Sequence, residues 1–135
     1  MAMLLEVAGY LQAQGFGTIG STIYLHRLQD VGVADFVTCL FQRPGMPGIR
    51  VHETPGVLYE QPDLSVLVRG ASTQYATVMQ RAHDIHAALG DVTNQYLDGV
   101  WYVGIDPVSP PDDQGVDAKS RPLILARYTV TKSPS

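Results

Sequence analysis

Leu4, Val7, Ala8 and Leu11 follow the i, i+3, i+4, i+7 spacing of one helical face, which predicts an opening helix. Gly15 stands where a left-handed residue commonly ends such a helix. The pattern then changes. Ser21 to Leu28 and Ala34 to Gln42 are rich in Ile, Tyr, Phe, Val and Thr and read as two strands. Gln29 to Val33, with Asp30 and Gly32, reads as a hairpin loop joining them. In the second strand Phe36 and Leu40 fall on one face and Val37, Cys39 and Phe41 on the other. Both faces are therefore expected to be covered, by the fold or by a partner.

Arg43 to Gly56 carries Pro44, Gly45, Pro47, Gly48, Pro55 and Gly56, and predicts a long loop or arm. Val57 to Glu60 reads as a short strand closed by Pro62, and Leu64 to Arg69 as a clear strand. Ser72 to Leu89 has the strongest helical pattern, with Tyr75, Val78, Met79, Ala82, Ile85 and Leu89 on one stripe. Ser72 is the expected N-cap and Gly90 the expected stop. Val100 to Ile105 and Leu123 to Thr131 predict two further strands. Between them Asp106 to Arg121, with Pro107, Pro110, Pro111 and Gly115, reads as a second long loop, exposed and acidic. Helices and strands do not alternate as βαβ units. The expected fold is one α+β domain over residues 1–131, a mainly antiparallel sheet of about five strands with two helices packed on one face. Residues 132–135 are expected to form a loose tail.

Composition narrows the possible functions. The 135 residues are 45% apolar and only 16% charged, which favours a globular chain that buries surface in an assembly. The net charge of −4, with no Lys/Arg cluster, argues against tight binding to a nucleic acid backbone or an acidic membrane. A single cysteine, Cys39, allows no internal disulfide and no cysteine-based zinc cage. Met1 to Ala13 lacks a basic start and is interrupted by Glu6, so no signal peptide is expected, and no apolar run approaches the ~20 residues of a membrane span.

Several motifs invite chemistry. Gly15-Phe16-Gly17-Thr18-Ile19-Gly20 matches G-x-G-x-x-G, but that phosphate cradle needs a strand before it and a helix after it, and here the order is reversed. Gly70-Ala71-Ser72 is half of a nucleophile elbow, with Gln74 where the second glycine belongs, so Ser72 is better read as a cap than as a hydrolase nucleophile. His83 and His86 have the spacing of two metal ligands, yet only His26 and His52 remain to complete a site. Cys39, in an apolar strand, reads as an inert thiol. Asp112, Asp113 and Asp117 do not fit a calcium-loop spacing and read as a solvated acidic stretch. Arg69 and Arg121 flank loops at strand edges and are candidates for an ion pair across an interface. No arrangement meets the geometry of acid–base or nucleophilic catalysis, so the expectation is no enzyme, no cofactor and no metal.

The ordered set of motifs resembles the tail terminator and minor capsid (head–tail joining) proteins of long-tailed phages. The resemblance is carried by Tyr10-Leu11-Gln12-Ala13-Gln14-Gly15-Phe16-Gly17 and by Val66-Leu67-Val68-Arg69-Gly70 with the Tyr75-led helix to Leu89. It continues in Gly99-Val100-Trp101-Tyr102-Val103, the loop with Gly115-Val116-Asp117 and Arg121, and Ala126-Arg127-Tyr128-Thr129-Val130. Arg127 stands where the family often has an asparagine before the aromatic. The resemblance implies a structural virion protein, a homo-oligomeric and usually hexameric ring at the head-proximal end of the tail. Its partners would be the tail tube protein and the head–tail connector, DNA would pass through without specific binding, and assembly would occur in the host cytoplasm. A head-side connector subunit of the neck is the close variant, and a small intracellular enzyme or ligand-binding domain the distant one. Candidate interface residues are Arg43 and Arg50 in the first long loop, Arg69, and Asp112, Asp113, Asp117 and Arg121 in and beside the second. The acidic residues are expected to face the lumen or a neighbour.

Overall fold

The computed structural model describes residues 2–26, 35–50 and 58–133, with 43–50 and 58 as strand backbone only. The elements run α1 (Ala2–Ala13), β1 (Ile23–Leu25), β2 (Val37–Arg50), β3 (Leu58–Arg69), α2 (Tyr75–Gly90), β4 (Thr93–Leu97), β5 (Val100–Val116) and β6 (Pro122–Lys132). The six strands form one sheet in the order β1-β2-β3-β6-β5-β4. Every neighbouring pair is antiparallel except β1 and β2, which run parallel.

Both helices pack on the same face of this sheet. Leu4, Val7, Ala8 and Leu11 of α1 are fully buried, as their spacing predicts. Val78, Ala82, Ile85 and Leu89 of α2 join them over Leu40, Leu64, Val66, Val68, Ile124, Ala126, Tyr128 and Val130. The strand residues alternate, so successive side chains leave for opposite faces. β6 shows this along its whole length, from buried Pro122 to buried Lys132. The helices are tied to each other where the Tyr10 hydroxyl donates to the Ala88 carbonyl at 2.9 Å. A second polar tie crosses the core, the Tyr102 hydroxyl donating to Glu6 Oε1 at 2.6 Å.

The opposite face of β2 is also apolar. Val37 and Cys39 are as buried as Thr38 and Leu40, so β2 is covered on both sides, as its sequence implies. Burial pushes the Cys39 thiol up to about 12 against the pull of the Arg69 guanidinium, which keeps it protonated.

Several expectations are corrected. The hairpin placed over Gln29 to Val33 falls outside the described residues. The strands it was to join are parallel, with Ile23 opposite Thr38 and Leu25 opposite Leu40. A parallel pair needs a crossover, not a tight turn. The loop expected from Arg43 is strand as far as Arg50, and residues 51–57 fall outside the described residues. The register of β2 on β3 slips between Arg43 and Met46 and again before Ile49, and these irregularities accommodate Pro44 and Pro47. The second expected loop is also strand, since β5 continues to Val116 and only residues 117–121 turn. β4 ends its pairing with β5 opposite Gly104, so the outer side of β5 beyond that point is a free edge. The register of β5 on β6 slips between Pro107 and Ser109 and again between Ser109 and Asp112, and these irregularities accommodate the prolines.

β4 itself was not anticipated. Its residues Thr93-Asn94-Gln95-Tyr96-Leu97 are mostly polar because they form the sheet margin, and the signal for it is the Asp98-Gly99 turn, both residues with positive φ. The helix expected to start at Ser72 starts at Tyr75, with Gln74 before it, and Gln74 makes no side-chain cap. Instead Gln74 Oε1 accepts from the Ala71 N–H at 2.8 Å. α2 runs through Gly90, and the Asp91 N–H closes its last turn. Lys132 belongs to β6 and is 1% exposed, paired with Glu60 at 3.2 Å.

Candidate assembly surface

Three of the residues singled out by sequence converge at one end of the sheet. Arg69, fully buried, donates from Nε to the Asp35 carbonyl at 3.1 Å. Arg121, 4% exposed, donates from Nε to Asp117 Oδ2 at 2.7 Å and reaches Asp35 Oδ1 at 3.4 Å. Asp117 Oδ1 also accepts from the backbone N–H groups of Lys119 and Arg121, which fixes the turn between β5 and β6. Burial works to raise the Asp117 carboxyl, but these N–H groups and the guanidinium hold it below the usual carboxylate value. Asp35 is the member that sequence reading missed, since nothing in its local sequence marks it. The network locks Arg69, Asp117 and Arg121 within the subunit.

Asp112 and Asp113 lie apart from it, exposed on the free edge of β5. Asp113 Oδ1 accepts from the Gly115 N–H at 2.8 Å, and a hydrogen bond with Asp113 raises the Tyr75 phenol above its ordinary value. Exposed Val108 and Val116 flank this acidic stretch. The side chains of Arg43 and Arg50 lie outside the described residues.

Nothing in the local pattern marks the third feature, a socket around Arg81 of α2. The Arg81 guanidinium lies 5.6 Å from the Phe16 ring and 5.0 Å from the Phe36 ring, and donates to the Phe16 carbonyl at 2.7 Å. It lines a hollow of about 300 Å³ with Gly15, Phe16, Gly17, Thr22, Phe36 and Thr38. The glycine-rich turn that resembled a phosphate cradle is thus one wall of this socket. Gly17 is required there, with φ of 147° and a Cβ position 2.6 Å from Thr22 Oγ1. No carboxylate pairs with Arg81 among the described residues. Asp84, three residues on, accepts from Gln80 instead.

A second hollow, of about 430 Å³, opens between α1 and β4, lined by Leu5, Glu6, Gly9, Tyr10, Ile19, Tyr96, Leu97 and Asp98. Leu5 and Tyr96 stand exposed on its rim, 51% and 67%.

No family model matches the chain, and no curated protein matches it. Among solved structures, the fold is similar to that of a chain in the virion of a native gene transfer agent particle. The two share 14% identity with a TM-score of 0.67, and the likeness covers 97% of this chain and 94% of that one. It extends over nearly the whole of both chains and shows a shared fold.

The residues once weighed for catalysis are scattered. Ser72 is exposed in the turn before α2. His83 is exposed, while His86 Nδ1 lies 2.9 Å from the hydroxyl of buried Tyr128. Among the described residues no three His, Cys, Asp or Glu side chains gather as a metal site, and no helix is long and apolar enough to cross a membrane.

Proposed function

We propose that the chain is a structural protein of a phage-like virion and that it serves as the tail terminator, a ring of copies that ends the tail tube and offers the head-attachment surface. The observation that carries this reading is the near-complete overlap of its fold with a chain of a virion particle. The ordered resemblance of its motifs to tail terminators points the same way. The surface suits assembly. The subunit carries an exposed acidic strand edge, an aromatic-clamped cation and an open apolar groove at separate places. Such separated, unlike patches are what repeated contacts between copies require. Pro107, Pro110 and Pro111 and the register slips beside them make β5 an irregular edge, which disfavours strand addition and leaves recognition there to side chains. In this role the partners are the tail tube protein below and the connector above, and DNA passes an acidic subunit that does not hold it.

The test is to delete the gene from the producing phage or particle and image the product by electron microscopy. Tails of uncontrolled length that fail to join heads are the expected result. Normal tails joined to heads reject the role. Presence of the protein on isolated tails, before heads attach, distinguishes a terminator from a head-side connector.

A further inference from the structure

We propose that the Arg81 socket receives the Asp112–Asp113 stretch of a second copy of this chain, and that this contact joins neighbouring subunits head to tail. The proposal rests on the reading of the chain as a ring-forming virion subunit and supplies its contact. Three observations carry it. The first is an unmatched cation. Arg81 is half-buried, its stem and plane are fixed by two aromatic rings and one carbonyl, and among the described residues only that carbonyl accepts from it. A guanidinium so placed has its other donors presented in a fixed fork, which fits a carboxylate. Thr22 Oγ1 accepts from the Thr18 N–H, leaving its own proton to donate into the same hollow.

The second observation is an acidic pair that meets no cation among the described residues, its hydrogen bonds being to neutral donors: Gln114 to Asp112, and the Gly115 N–H and Tyr75 to Asp113. Asp112 and Asp113 are exposed, while the other notable acid of that region, Asp117, is held by Arg121. Pro110 and Pro111 precede the pair and restrict the backbone, so less freedom is lost when the segment docks. On a chain of net charge −4, acids at a contact between identical copies repel unless a cation receives them.

The third observation is placement. Thr38, in the socket wall, is opposite Val68; Val68 is opposite Ile124; and Ile124 is opposite Asp113. Thr38 of the socket and the acid therefore stand on one row across the sheet, about three strand spacings or ~14 Å of backbone apart. One lies on the β1–β2 side and the other on the free edge of β5. A contact between opposite sides of the same subunit is head to tail, so it repeats. A head-to-tail contact of this kind forms a ring when the rotation between neighbouring copies closes, which is the arrangement the proposed role calls for.

The experiment is charge exchange in the assembled particle. Arg81→Glu alone, and Asp112→Arg with Asp113→Arg alone, are each expected to lower the copies of this protein per purified particle about tenfold, and the combination to restore most of them. Single reversals that assemble normally, or a combination as poor as either alone, overturn the proposal; the latter result places the socket against a different protein. A second readout does not depend on Arg81 variants folding. Thr22→Cys with Gln114→Cys in one chain, oxidised within intact particles, is expected to give a ladder of cross-linked subunits. Particles that carry the protein without a ladder overturn the contact and leave the virion role standing. Absence of the wild-type protein from particles overturns both.

Discussion

Arg121 and Arg81 are both withdrawn from water, but only one has its charge answered within the subunit. Arg121 is 4% exposed and held by two acids, Asp117 and Asp35. Arg81 is held by two aromatic rings and a carbonyl, with no acid on it among the described residues. The first arrangement is complete, so its value is to the fold: it fastens the β5–β6 turn to the start of β2. The second is fixed in place yet electrically incomplete, and a cation prepared in this way has its value in what it meets. The difference separates an arginine that holds this fold together from one that, under the proposed contact, meets a neighbouring copy.

The largest test of that contrast is Arg121→Met. It removes a buried guanidinium and leaves its acids unmatched, partly relieved by their access to water. A loss of about 2–3 kcal/mol of unfolding free energy is expected, measured by denaturant titration. Arg81→Met keeps the apolar stem between the rings and gives up one hydrogen bond and the cation–π contacts. Its cost is expected to be about 1 kcal/mol in the same titration, with the effect on particle assembly far greater than that on stability. Equal losses for the two would remove the distinction.

A pH series sharpens the comparison at the Asp117 end. The Asp117 carboxyl lies below its ordinary value in the fold. Its contribution is therefore fully present above the unfolded value, about 4, and is lost as pH falls through the folded value. Asp117→Asn should be less stable than the wild type at pH 6, with the gap narrowing below about pH 4; a gap constant down to pH 2 contradicts the ionic account. The smallest effect concerns how well that region excludes water. Cys39 lies near Arg69, yet burial keeps its thiol near 12. Iodoacetamide at pH 8 should label it only on unfolding, read by mass spectrometry. Labelling of the native protein at the rate of a free thiol contradicts the sealed face.

The helices were legible because a helical stripe is a local signal: Leu4, Val7, Ala8 and Leu11 are buried, as are Val78, Ala82, Ile85 and Leu89 of the second stripe, while its Met79 is partly buried and its first member, Tyr75, is exposed. Strand ends were not. Pro and Gly in 43–50 and 106–116 read as loop, whereas bulges and a free edge let the strands run on. β4 escaped notice because a margin strand needs few apolar residues. Arg69, Asp117 and Arg121 were legible as charged residues beside turns, though the structure joins them within the subunit. Arg81 was hidden among the polar positions of a helix.

By itself the sequence determined the α+β class, the two apolar stripes, the doubly covered second strand and the acidic, weakly charged surface, because each depends on neighbours along the chain. Only the tertiary structure decided that β1 runs parallel to β2, that Asp35 answers Arg121, and that Phe16 and Phe36 close on Arg81. Those facts join residues far apart in sequence, and their partners are chosen by packing across the sheet, which no local spacing records.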